Sequence, residues 1–228
     1  MGIPGPNLAP GGRAIKEEAN VELEKMSCAD CMAAACKTGG GYPAFCMTQR
    51  MDPETKKEAM ACYNEPENRR IMQVAAGVEH DGYLKWCRVE ETMEFARRMG
   101  FHRLGIATCV GLLAETRILT EILRGNGFEV FGIGCKAGAV PKTDVGIDPV
   151  CCEIGKNMCN PILQAKLLNE ANTELNIVMG LCVGHDSLFY KYAKAPTTTL
   201  VVKDRVTGNN PAAALYTAGS YYKRLKAK

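Results

Sequence analysis

From Arg88 onward the chain alternates helical stripes with short unbroken apolar runs. Val89, Met93, Ala96 and Met99 recur at helical spacing, and Gly100 follows as a C-terminal cap. Arg103–Thr108 (RLGIAT) then reads as a strand. Leu112–Arg124 reads as a second helix with Leu112, Leu119 and Leu123 on one face and Gly125 at its end. Phe128–Ile133 is a second strand, and an irregular stretch runs from Gly134 to Met158. Asn160-Pro161 opens a third helix, because Asn is a preferred N-cap and Pro suits the first helical position. Leu175–Leu181 is a third strand, a short helix covers roughly Ser187–Ala193, and Thr197–Val202 is a fourth strand. Asn210-Pro211 repeats the cap signal before a final helix ending near Leu225.

Strands separated by helices at this spacing imply parallel pairing through helical crossovers. Their continuous apolar character is that of strands buried on both faces. Residues 88–228 are therefore expected to form a Rossmann-like α/β domain, a small doubly wound parallel sheet of about four strands with helices on both faces. Upstream, 54–79 reads as two helices broken near Asn64-Glu65-Pro66, since proline disfavours helical geometry in the residue before it. Residues 25–50 are rich in Cys and Gly and have no apolar period. The segment 25–87 is thus expected to be a Cys-rich metal-binding region with helices, and 1–24, rich in Pro, Gly and charge, a loosely attached arm.

Composition excludes several classes. A length of 228 residues and 46% hydrophobic content allow one compact domain with an appendage, and a real core without disulfide staples. The net charge of +3 is spread along the chain, which argues against nucleic acid. No apolar run approaches the ~18 residues of a membrane span, and MGIPGPNLAPGG does not read as a secretory leader. The expected setting is cytoplasmic. Disulfides are rare there, so twelve cysteines point to metal ligands, redox centres or nucleophiles.

Their positions sharpen this. Ligands of open α/β sheets bind beyond the carboxyl ends of the strands. Cys109 directly follows the first expected strand, Cys135 lies just past the second, and Cys182 directly follows the third. Cys159 immediately precedes the Asn160 cap, at the same edge. Cys109, Cys159 and Cys182 each stand before an expected helix, where free N–H groups favour thiolate, and Cys135 is followed by Lys136. Four thiols from remote segments suit an iron–sulfur cluster, [4Fe–4S] in type, or an all-thiolate zinc site.

A second set is local: Cys28-x2-Cys31-x4-Cys36-x9-Cys46. Two thiols three residues apart can clasp one metal, and a segment with no core of its own gains order from ligation. Iron–sulfur and zinc both remain open for it. Cys62 and Cys87, in or beside helices, are expected to be buried apolar residues. Cys151 and Cys152 lie near the rim and compete with Cys159 as ligand.

Among polar residues, His185 and Asp186 lie just beyond Cys182, in the turn entering a helix. They are candidates for proton transfer or for capping that turn. Lys203 and Arg205 follow the fourth strand, either to bind an anionic substrate or to form a salt-bridged loop with Asp204. Glycine spacing in Gly132–Gly138 is wrong for a dinucleotide loop and no Walker A pattern occurs, so NAD, FAD and ATP are not expected.

The Cys28–Cys46 run, Arg88-Val-Glu-Glu-Thr, Cys109-Val-Gly-Leu-Leu-Ala-Glu115, Gly134-Cys-Lys-Ala-Gly138, Met158-Cys-Asn-Pro-Ile162, Gly180-Leu-Cys-Val-Gly-His-Asp-Ser187 and Val202-Lys-Asp-Arg205 with Asn210-Pro211 resemble the domain-of-unknown-function 1847 family of Cys-rich predicted metal-binding proteins. The resemblance runs over nearly the whole chain from Cys28. It implies metal or iron–sulfur binding in an anaerobe, with Cys109, Cys135, Cys159 and Cys182 as the matching thiols, and supplies no reaction. The leading expectation is an iron–sulfur protein with two Cys-rich sites. It would transfer electrons or reduce a small molecule, with a small-molecule or redox-protein partner. A zinc-binding structural or regulatory module, and a thiol enzyme using Cys182 with His185, are the alternatives.

Overall fold

The computed structural model describes residues 23–226, so the expected arm over 1–24 falls almost wholly outside the described residues. The chain divides into two compact units, up to Arg69 and from Arg70. The expected boundary lay at 87/88. Most of the long helix before that boundary, from Arg70 on, belongs with the downstream unit: Arg70 donates to the Arg98 carbonyl at 2.7 Å, and Arg98 pairs with Asp81 at 2.9 Å.

In the first unit the Cys-rich segment folds as short turns. A 3-10 turn, Cys28–Asp30, is closed by a capping box in which the Asp30 carboxylate accepts from the Ser27 N–H at 2.8 Å. A second such turn covers Ala35–Lys37. Helix α1 (Met47–Arg50) comes directly after Cys46, and α2 (Pro53–Cys62) starts on Asp52, whose side chain accepts from the Glu54 N–H. Neither helix buries a residue. The expected break at Asn64-Glu65-Pro66 is present, and α3 spans Pro66–Gly82 across the division between units.

The second unit is an α/β sandwich. After α4 (Arg88–Met99), capped by Gly100 at φ 80°, come β1 (Arg103–Thr108), α5 (Leu113–Gly125), β2 (Glu129–Gly134), α6 (Pro161–Glu170), β3 (Leu175–Met179), α7 (His185–Tyr192), β4 (Thr197–Val201) and a short α8 (Ala212–Tyr216). All strand pairs are parallel, in the order β2-β1-β3-β4. Side chains alternate across β1 and β3. Leu104, Ile106, Leu175, Ile177 and Met179 pack with Met93, Ala96, Leu119 and Leu123 from α4 and α5. Ala107 and Val178 pack on the other face with Ala165, Leu168 and Phe189 from α6 and α7. Helices thus cover both faces, as the apolar strands require. Each fully buried Leu, Ile or Phe here contributes roughly 1.5–3 kcal/mol.

Several boundaries differ from the expected ones. Phe128 closes the turn after α5, its N–H bonding Leu123 O and its ring lying under Arg97, so β2 begins at Glu129. β3 ends at Met179 because Gly180 turns out of it at φ 72°. Cys182 therefore sits three residues past the strand rather than directly on its end. The expected long final helix is replaced by α8 and a 3-10 turn, Lys223–Leu225. Thr217 and Ser220 turn their hydroxyls onto the carbonyls of Ala213 and Thr217, competing with helix continuation.

Candidate metal centre

The strand order reverses at β1, whose neighbours β2 and β3 are reached in opposite directions, and this makes a switch point at the carboxyl edge. Cys109 leaves β1 there, its N–H bonding the Met179 carbonyl of β3 at 3.2 Å. Cys135 leaves β2, its N–H bonding the Thr108 carbonyl at 2.8 Å. The Asn160 N–H bonds the Cys135 carbonyl at 2.7 Å, which brings Cys159 alongside, and Asn160 caps α6 through the Leu163 N–H as its sequence predicts. Main-chain hydrogen bonds thus hold three remote cysteines at one place.

Their thiols are linked through Cys135. Cys135 is hydrogen-bonded to both Cys109 and Cys159 and also accepts the Val110 N–H at 3.4 Å. One thiol proton cannot serve two neighbours, so the three titrate as a set. The hydrogen bond from Cys135, helped by the Gly111 N–H and the charges of Lys203 and Arg205, pulls the Cys109 thiol down to about 5 despite burial. The same partner, with the charges of Lys136 and His185, pulls Cys159 down to about 6. Cys135 is pushed strongly up, because it holds the proton both neighbours draw on.

Cys182 lies outside this chain of sulfurs. Arg205 donates to its Sγ at 3.2 Å, and this contact leads the causes that raise the guanidinium above its ordinary value. Arg205 also faces the charges of Cys109 and Cys159. The expected salt-bridged loop is not what forms. Asp204 instead accepts from the Val206 and Thr207 N–H groups of its own turn, and among the described residues neither Lys203 nor Arg205 pairs with a carboxylate. The Lys203 ammonium and the Cys109 sulfur approach the same side of Gly111. His185 and Asp186 are the first residues of α7; their N–H groups bond the Cys182 carbonyl, and the Asp186 carboxylate accepts from Ser187 N–H.

Other expectations fare differently. Cys62 and Cys87 are exposed rather than buried, one at the end of α2 and the other at the N-cap of α4. Cys151 and Cys152 lie in a 3-10 stretch, Pro149–Ile154, whose Cys151 carbonyl accepts from buried Lys142, and Cys159 is the sulfur on Cys135. Cys28 and Cys31 flank one turn, with the Cys31 N–H on the Cys28 carbonyl at 3.2 Å; Cys28 and Cys36 are exposed and Cys46 is buried. Among the described residues, no three or more His, Cys, Asp or Glu side chains stand ready-arranged around a metal position. A cavity of about 500 Å³ lies at the opposite edge of the sheet, by Leu175 and Thr197, away from the thiols. No helix among the described residues is long and apolar enough to cross a membrane.

One contributor carried no signal in the sequence. Gln164, wholly buried on α6, donates its amide to the carbonyls of Thr108 and Ile133, at the ends of β1 and β2. Only helix register against the sheet reveals it.

The family model described as "Protein of unknown function (DUF1847)" matches residues 46–200. The chain belongs to this family. The DUF1847 match includes Cys109, Cys135, Cys159 and Cys182, and lies outside Cys28, Cys31 and Cys36. The chain is also similar to "Uncharacterized protein MJ0455" of Methanocaldococcus jannaschii, 42% identical over 203 residues, covering 89% of this chain and 100% of that one. Among solved structures, Dph2 from Pyrococcus horikoshii is similar at 18% identity and TM-score 0.33 over 61% of this chain. Dph2 with a 4Fe-4S cluster is similar at 19% and 0.34 over 63%. The chain spans about a third of the length of those structures.

Proposed function

We propose that this DUF1847 protein binds a metal centre at the carboxyl edge of its sheet, held by Cys109, Cys135 and Cys159 with Cys182 as the further sulfur. The observation that carries the reading is the hydrogen-bonded run of three sulfurs drawn from β1, β2 and the α6 cap. The donor set is all sulfur, the choice of iron–sulfur clusters and thiophilic ions, and the cations Lys203, Arg205 and Lys136 offset the charge that several thiolates accumulate. Ligation requires Cys135 to give up the proton it holds, so uptake strengthens with pH.

An iron–sulfur cluster of [4Fe–4S] type is the reading we favour, and it would supply one-electron transfer for a redox partner or for reduction of a small molecule. Arg205 and Lys203 hold positive charge beside the sulfurs, and His185 and Asp186 are the nearest groups on α7 able to carry a proton. A second thiolate site on Cys28, Cys31, Cys36 and Cys46 belongs to the same proposal, supported by the single turn that joins Cys28 to Cys31.

Protein purified without oxygen should be brown and contain iron and acid-labile sulfide in comparable amounts. A colourless, iron-free protein after anaerobic reconstitution overturns the cluster, and zinc at one or two per chain would replace it with a structural metal. The Arg205–Cys182 contact favours a second reading, thiol chemistry at Cys182. It requires one cysteine to react with an alkylating agent far faster than the rest in metal-free protein, and uniform reactivity dismisses it.

A further inference from the structure

We propose that Gln164 is the positioning residue of the thiol site, an inference that rests on the rim sulfurs acting together as a metal centre. β1 and β2 stop pairing at Thr108 and Gly134, and the two cysteines come immediately after those residues. Parallel strands are free to splay where their ladder ends. Here the Gln164 side chain reaches up from α6 and spans the gap, one N–H on Thr108 O at 3.1 Å and the other on Ile133 O at 2.7 Å.

The orientation of this amide is forced. Carbonyl oxygens accept only, so the NH2 must face them, and its two hydrogens are both used. The Oε1 atom is then left buried without a partner. A core residue chosen for packing alone would avoid that orphaned oxygen, so what Gln164 supplies is placement. Thr108 O also accepts the Cys135 N–H, and the same helix sends the Asn160 N–H to Cys135 O. α6 therefore holds Cys109, Cys135 and Cys159 from beneath through one side chain and one cap.

The test compares Gln164→Met, which keeps length and loses both donors, with Gln164→Glu, which keeps shape and loses at least one. Leu168→Ala, another wholly buried change on the same face of α6, is the control for general destabilisation. Two readouts are used on the full chain. In metal-free protein, diamide takes two hydrogens from a pair of thiols to leave a disulfide and the hydrazine. Peptide mass spectrometry then gives the initial rate of the Cys109–Cys135 cross-link. Separately, cobalt(II) titration tracks the thiolate-to-cobalt charge-transfer band.

Gln164→Met should slow the cross-link and weaken cobalt uptake, each roughly tenfold or more, as loss of a supporting hydrogen bond does at metal sites. Gln164→Glu should fall between, and Leu168→Ala should leave both near wild type despite a lower melting temperature. Equal rates in Gln164→Met and wild type, or an equal loss in Leu168→Ala, overturn the proposal. Failure of both Gln164 variants to fold also overturns it, by assigning the residue to folding alone. If wild type gives no thiolate band with cobalt, the metal reading falls, and the cross-link rates still decide the role of Gln164.

Discussion

The two groups of cysteines are built in opposite ways. Cys28, Cys31, Cys36 and Cys46 are close in sequence, carried on short turns, and two of them are exposed. Cys109, Cys135 and Cys159 are far apart in sequence, delivered by two strand ends and a helix cap, and linked by hydrogen bonds through the Cys135 thiol. In the first group spacing makes the arrangement, and little else supports it. In the second, a rigid sheet makes the arrangement, and main-chain hydrogen bonds, a buried amide and three cations support it. The rim is therefore preorganised by the core, while a site on the N-terminal turns would have to contribute its own folding energy through its metal.

The sharpest way to break the contrast is to remove the central sulfur. Cys135→Ala should weaken rim metal uptake beyond the upper end of the roughly 10–100-fold that losing a mere supporting group costs, while Cys28→Ala leaves the rim unchanged. Anaerobic metal analysis of both variants checks this, and equal losses would erase the distinction between the groups.

Next comes the backbone that carries the rim. Gly180 has φ 72°, and a methyl group there would overlap the Cδ1 of Leu112, a buried residue of the turn after Cys109. Gly180→Ala should cost about 2–4 kcal/mol from left-handed strain and overpacking. At this chain size that lowers the melting temperature by ~2–4 °C per kcal/mol. An unchanged melting curve would mean that the turn relaxes freely.

The thiols also make stability depend on pH. Cys109 and Cys159 lie below the ordinary thiol value of 9.0, so the stability they contribute is complete above pH 9 and is lost as pH falls toward about 5 to 6. Cys135 lies above 9.0, so its contribution is present below that pH and lost as pH rises past it. Urea midpoints of the metal-free protein should therefore rise from pH 5.5 to pH 8.5. Lys203→Met, which removes a cation facing Cys109, should flatten that rise. A slope of opposite sign would show that Cys109 and Cys159 keep their protons.

The smallest effect belongs to the N-terminal turns. Ser27→Ala removes half of the capping box that closes the Cys28–Asp30 turn, with a local cost of ~0.5–2 kcal/mol. Hydrogen exchange should speed up over residues 27–31 and stay unchanged at β1 and β3. Faster exchange in the strands would mean that the two regions are one cooperative unit.

Much of the fold and the rim is legible in the sequence. The apolar runs at 103–108 and 175–179 can only be buried parallel strands, and Asn160-Pro161 can hardly be anything but a helix start, so Cys109, Cys135 and Cys159 come to one edge on pattern alone. Illegible are the places where side chains compete with the backbone, as at Thr217 and Ser220, or where burial depends on neighbours, as at Cys62 and Cys87. The Asp204 turn, formed in place of a salt bridge, is another such local competition.

Periodicity and capping alone determined that this chain is a doubly wound α/β protein with its cysteines at strand ends, because both are local consequences of residue type and spacing. Which thiols pair, that Arg205 turns to Cys182, and that Gln164 ties β1 to β2 were decided only by the packed fold. Contacts between segments dozens of residues apart depend on strand order and helix register, and no local pattern encodes either.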